Sequence, residues 1–175
     1  NKAVPIISGG GSGHEPAHIG YVGAGMLAAA VTGPLFVPPR AKNILKAIRQ
    51  VNSGKGVFVI IKNFEADLKE FKKAIEEART EGIDVRYIVS HDDISVNTYN
   101  FHKRHRGVAG TILLHKVLGA FAKEGASIDE IEQLALSLSP EIYTLGVALA
   151  PVNFPHHRTS FLLAEDEVSF GVGIH

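Results

Sequence analysis

The chain has 175 residues, with 18 Lys and Arg against 18 Asp and Glu, nine His, 18 Gly and no Cys. That length suits one globular domain able to bury about 70% of its unfolded surface, and the balanced charge supplies no field to steer nucleic acid or an anionic membrane. The missing Cys excludes disulfide scaffolds, thiolate zinc sites, iron–sulfur clusters and Cys nucleophiles at once, and no run approaches the roughly 20 apolar residues that span a bilayer.

Apolar runs alternate with helical patterns along the chain, the signature of an α/β fold with a mostly parallel sheet and helices on both faces. Ala3–Ile7 is predicted as a first buried strand, followed by the Gly-rich stretch Gly9-Gly10-Gly11-Ser12-Gly13 as a loop at a helix start. Met26–Val31 follows as a second strand closed by Gly33-Pro34, and Asn43–Val51 as a helix with Ile44, Leu45 and Ile48 on one face. Val57–Ile61 is a continuous β-branched and aromatic run, as expected of a strand covered on both faces. Leu68–Arg79 reads as an amphipathic helix ended by Gly82, and Val85–Val89 as a strand. Val108–Lys123 is a helix, and Ser127-Ile128-Asp129-Glu130 is a capping box opening another. Leu145–Leu149, Ser160–Leu163 and Val168–Ile174 complete the strands, with connections too short for crossover helices and therefore partly antiparallel. The chain starts at Asn1 without Met and stops at His175 after an apolar run, so we expect a single domain cut from a longer two-domain chain.

Ligands of open α/β sheets bind beyond the carboxyl ends of the strands, which directs attention to Gly9 to His14, Lys62 and Asn63, Asp92 and Asp93, and His175. His14-Glu15-Pro16-Ala17-His18 matches the zinc-protease pattern, but that chemistry needs both His on one helix face. Pro16 between them costs about 3 kcal/mol inside a helix, so the match is expected to be a coincidence. The Gly run lacks the Lys of a Walker A loop and the third Gly of a dinucleotide fingerprint. It is either a tight turn or a set of bare N–H groups open to a small oxygen-rich ligand. In the last strand His175 shares a face with Ser169, Gly171 and Gly173, so its imidazole borders a trough, as a structural residue or as a nucleophile. Asp67 looks like a helix cap, and Lys62 like a solvated lysine at a strand end. The basic run 102–106 is either an anion-binding patch or, as usual in a neutral protein, a solvated loop, and the pair His156-His157 has no metal-ligand spacing.

The stretch 6–18, with Gly20-Tyr21-Val22-Gly23, Ile61-Lys62-Asn63, Asp92-Asp93, Arg106-Gly107-Val108-Ala109-Gly110-Thr111 and Gly171-Val172-Gly173-Ile174-His175, resembles the K subunit of dihydroxyacetone kinases. The matches run in order through nearly the whole chain. The resemblance implies covalent capture of dihydroxyacetone, with His175 adding to the C2 ketone as a hemiaminal. It also implies hydroxyl contacts from Gly11 and Lys62 and an acid/base pair of His14 and Asp67. A capping role would sit badly with that pair, because N–H donors weaken a carboxylate as a base. No cofactor or metal is implied; a cytoplasmic homodimer is.

Several segments depart from the family. Asn63-Phe64-Glu65-Ala66-Asp67 stands where the family usually has Asn-Tyr-Thr-Gly-Asp, and Phe36-Val37-Pro38-Pro39 where it has Phe-Thr-Ser-Pro. His157-Arg158-Thr159-Ser160-Phe161 replaces Gly-Lys-Pro-Ser-Phe. Ligand residues kept beside a rewritten rim resemble the non-catalytic paralogue, a dihydroxyacetone sensor and operon coactivator. Such a protein works with a transcription factor and does not bind DNA directly. The alternative is the catalytic K subunit with a phosphoryl-donor subunit as partner; a zinc hydrolase is a third, different class.

Overall fold

In a computed structural model the strand β3 (Val57–Lys62) is buried along its whole length, and its alternation explains the layers. Val57, Val59 and Ile61 face one apolar cluster while Phe58 and Ile60 face another. Residues 3–95, 105–151 and 163–171 are described. The first cluster packs the sheet against α1 (Ala41–Val51) and α2 (Glu65–Thr80), through Ile44, Ile48, Phe71 and Ile75. The second packs it against α3 (Thr111–Lys123) and α4 (Ile128–Leu138), through Leu114, Leu118 and Ile131. The expected α/β architecture with helices on both faces is therefore present.

The sheet is parallel and four-stranded, in the order β2 (Ala29–Leu35), β1 (Ile6–Ser12), β3, β4 (Val85–Ser90). A chain that goes from β1 outward to β2 and then back to β3 on the other side creates a switch point between β1 and β3. Their carboxyl ends are where such sheets leave a crevice. A separate antiparallel ribbon joins β5 (Val147–Ala148) to β6 (Ser169–Phe170), as the short connections near the C-terminus predicted.

The Gly run is strand, not loop. Gly9, Gly10 and Gly11 pair with Val31, Thr32 and Gly33, and an irregularity follows at Ser12. Glycine carries no periodic signal, so only the backbone pairing reveals the strand. The helix predicted from Val108 begins at Thr111 because the Val108 and Gly110 N–H groups bind the Asp92 carboxylate, at 3.0 and 2.8 Å. The capping box at Ser127 and Glu130 forms as expected. The strand predicted at Ser160–Leu163 lies outside the described residues except for Leu163, which is not in a strand, and Val168–Ile174 is described only to Gly171. No described helix is long and apolar enough to cross a membrane.

Candidate functional site

Lys62 is the last residue of β3 and follows Phe58 and Ile60 on the face toward α3. It is not solvated: only 1% of it is exposed. Its ammonium fills the space a side chain at position 10 would need. A Cβ on Gly10 would lie 2.8 Å from Lys62 Nζ and 3.7 Å from Asp67 Oδ1. Gly10 is thus required by the close approach of a buried cation and its neighbouring carboxylate.

Asp67 is not the cap of α2. Phe64 holds that position without a side-chain bond, and Asp67 sits in the first turn, buried, with Oδ1 lacking a hydrogen-bond partner. Burial raises its pKa above the usual carboxylate range, opposed by the Lys62 charge and by its own backbone N–H. Burial likewise lowers the pKa of Lys62, with Asp67 pulling the other way. Desolvation outweighs attraction at both groups, so the pair is displaced toward its uncharged forms.

His14 lies in a turn, 14–18, that leads into a short 3-10 turn at Ile19–Tyr21. Its ring centroid is 5.1 Å from that of Phe36, which places the departing segment 36–39 beside the site. Burial, then the Lys62 charge, lowers the His14 pKa against the influence of Glu15. Residues 14–18 are not helical, and Glu15 accepts a bond from the Gly13 N–H at 2.8 Å. The helix-face arrangement of a zinc protease is therefore absent. Among the described residues no group of three or more His, Cys, Asp or Glu could hold a metal.

His18, marked in the sequence only as part of the zinc-protease pattern, pairs with the unmarked His115 as a second buried feature. His18 Nδ1 is 2.7 Å from His115 Nε2, and His115 is fully buried on α3 with its pKa pushed down to about 3 by burial and then by the Lys62 charge. The available signal was a polar residue on a helix face otherwise built from Leu114, Leu118 and Ala122.

A cavity of about 270 Å³ opens between this turn, the start of α3 and the ribbon. His14, His18, Lys62, Asp93, Arg106 and Thr111 line it. Asp93 is part of that lining, and Asp92 precedes it in the chain. Asp92 also accepts from the Thr144 hydroxyl at 2.6 Å, and Asp93 accepts from Arg106 Nε at 2.7 Å. Burial opposes ionisation of Asp93, but Ser95 and Arg106 hold its pKa below the ordinary value.

The structure therefore brings His14 and Lys62 together at the cavity, with Asp67 beside Lys62. Gly11 is buried in β1, outside the lining, and a Cβ there would lie 2.6 Å from Val37 N. His175 lies outside the described residues, as do residues 102–104 and the pair His156-His157.

Buried ionisable residues at the switch point of an α/β sheet, with a cavity above them, are the arrangement in which open α/β folds place ligand sites. The chain belongs to the Dak1 domain family, whose model matches residues 1–175. It is 90% identical over 174 residues, 99% of its length, to the DhaKLM operon coactivator DhaQ of Lactococcus lactis, covering 53% of that protein. It is 46% identical over 173 residues, 98% of its length, to the dihydroxyacetone-binding subunit DhaK of a PTS-dependent dihydroxyacetone kinase from the same organism, covering 52% of it. A solved dihydroxyacetone kinase operon co-activator, Dha-DhaQ, superposes with TM-score 0.94 at 90% identity, over 98% of this chain and 53% of that one. The native dihydroxyacetone kinase of C. freundii superposes with TM-score 0.93 at 41% identity, over all of this chain and 32% of that one. The chain spans about half the length of the DhaQ and DhaK relatives it matches.

Proposed function

We propose that this chain is the ligand-binding part of a longer dihydroxyacetone sensor that acts as an operon coactivator through a transcription factor. The observation that carries the binding half is the buried Lys62–Asp67 pair beneath a cavity that His14 also lines. A buried cation and a carboxyl lacking a partner at Oδ1 are matched to the hydroxyls of a small polyol, which can accept from the one and donate to the other. The regulatory half rests on 90% identity to a coactivator.

In this proposal His175 captures the ketone. A ring nitrogen forms a bond to C2 as the C=O π bond breaks, the carbonyl oxygen gains a proton, and the ring loses one from its other nitrogen. The net change is addition of N–H across C=O, a hemiaminal, with His14 and Asp67 relaying the protons and Lys62 and the Gly11 backbone holding hydroxyls. Glycerol, without a carbonyl, is rejected by chemistry and not by size.

A second proposal has one specific observation in its favour. Asp67 is no cap and its pKa is raised, so the objection that it would be too weak a base for a kinase subunit falls away. One experiment addresses both. The full-length protein is incubated with dihydroxyacetone and examined by intact mass spectrometry. The native protein is expected to gain one ligand and His175→Ala none; an adduct persisting in the variant overturns the capture step. The native protein is then mixed with the phosphoryl-donor subunit, and turnover to dihydroxyacetone phosphate would favour the kinase subunit over the sensor.

A further inference from the structure

Among the described residues the ribbon β5–β6 is two residues long on each strand, too short to hold its own place on the sheet. Its position must come from tertiary anchors, and the described residues show a specific one. Arg106 Nε and Nη2 both reach Asp93 Oδ2, at 2.7 and 2.6 Å, and Nη2 also donates to the Gly171 carbonyl at 2.5 Å. Gly171 is held by one further bond and has no room for a side chain. Its N–H donates to the Gly146 carbonyl at 2.9 Å, and its φ of 82° turns it so that a Cβ would lie 2.9 Å from Ser95 Oγ. Asp93 is itself held, because the Asp93 N–H donates to the Arg106 carbonyl at 3.0 Å and the Ser95 N–H donates to Asp93 Oδ1 at 2.9 Å. The Arg106 guanidinium thus joins Asp93, just beyond β4, to Gly171, which lies 65 positions from Arg106 in the chain.

We propose that Arg106, held by Asp93, is a positioning residue for ligand capture: it fixes Gly171, four residues before His175 in the chain, at the rim of the cavity. This rests on the capture reading above and adds to it a residue that acts through the backbone of Gly171, close in sequence to the proposed nucleophile. A general stabilising ion pair would need only the Asp93 contact. The reach from Nη2 to a carbonyl of the ribbon is what makes it a clamp. Lys at this position could keep the charge on Asp93 but not the fork that serves two acceptors at once.

The test follows adduct formation with dihydroxyacetone over time in full-length protein, comparing the native chain with Arg106→Lys and Arg106→Met, with thermal unfolding measured alongside. A misplaced nucleophile lowers the rate at saturating ligand by about 10- to 100-fold, while the half-saturating concentration moves less than about threefold. Arg106→Lys is expected to recover part of the Arg106→Met loss, and it remains readable where Arg106→Met fails to fold. An unchanged saturating rate in Arg106→Lys overturns the clamp, as does a rise in half-saturation alone, which would make Arg106 a direct ligand contact. Absence of an adduct in the native protein instead defeats the capture reading and takes this inference with it.

Discussion

Two cation–carboxylate pairs stand at the same edge of the sheet and are tuned in opposite directions. At Arg106–Asp93 the carboxylate collects Arg106 Nε, the Ser95 N–H and the Ser95 hydroxyl, and its pKa falls below the ordinary range despite burial. At Lys62–Asp67 burial wins, with the lysine pulled down and the carboxyl pushed up, and Asp67 Oδ1 has no hydrogen-bond partner. The difference is one of donor supply. A buried charge surrounded by fixed donors becomes a structural fastening, whereas one denied them is left ready to exchange a proton or to bind a polar ligand. Arg suits the first role because its fork serves several acceptors and its charge persists, and Lys suits the second because burial shifts its pKa readily.

The sharpest way to break this contrast is Asp93→Asn. It removes the charge that Arg106 faces and leaves a guanidinium whose side chain is 25% exposed, so we expect a loss of about 3 kcal/mol. Urea unfolding checks it, and a loss under about 1 kcal/mol would deny the pair its structural role. The sign with pH follows from the lowered carboxyl. Its stabilisation is present above the unfolded value of 3.8 and is lost as pH falls through the folded one.

A smaller effect tests how dry the ground beside Lys62 is. His115 is held down to about 3 against 6.5 when exposed, so the unfolded chain binds the extra proton between these values and stability falls with falling pH. At about 1.4 kcal/mol per unit, roughly 2 kcal/mol is lost between pH 6.5 and pH 5. The groups facing the ring are His18 at 2.7 Å and Tyr21, with ring centroids 6.2 Å apart, together with the charge of Lys62. His115→Gln keeps a polar partner for His18 and is expected to remove most of that acid slope in unfolding titrations. An unaltered slope would place the acid sensitivity elsewhere.

The same contrast shows what the sequence could and could not express. Runs such as Val57–Ile61 announce themselves because burial on two faces demands unbroken apolar residues, and the Ser127–Glu130 box announces a helix start because its bonds are local. The roles of Lys62, Asp67 and Arg106 depend on groups brought in from other elements. Spacing made Asp67 a cap and Lys62 a solvated strand end, because nothing local says that Gly10 leaves room for an ammonium or that α2 starts two residues before Asp67. Arg106 was legible only within the family-like stretch 106–111, and its contact with Gly171 lies 65 residues away. His115 gave a signal that went unused, a histidine amid the apolar positions of α3.

Asp67→Asn carries the smallest expected change in stability and the greatest discrimination, since it is the chemical change of Asp93→Asn made at the other pair. The raised carboxyl means that the folded state holds its proton more tightly than the unfolded chain. Its contribution to stability therefore falls as pH rises from 3.8 through the folded value, and at neutral pH the ionised form is a burden. Asn removes that burden at nearly the same volume. Against this, Lys62 loses the carboxylate that partly supports its charge and shifts further toward the neutral amine. The two effects oppose each other, and we expect unfolding at pH 7 to be unchanged or up to about 1 kcal/mol more favourable to the folded state. Ligand capture should nevertheless fall, because Asn cannot take up a proton from a hydroxyl. A destabilisation above about 2 kcal/mol would mean that Asp67 is a fastening like Asp93, and the distinction between the two pairs would collapse.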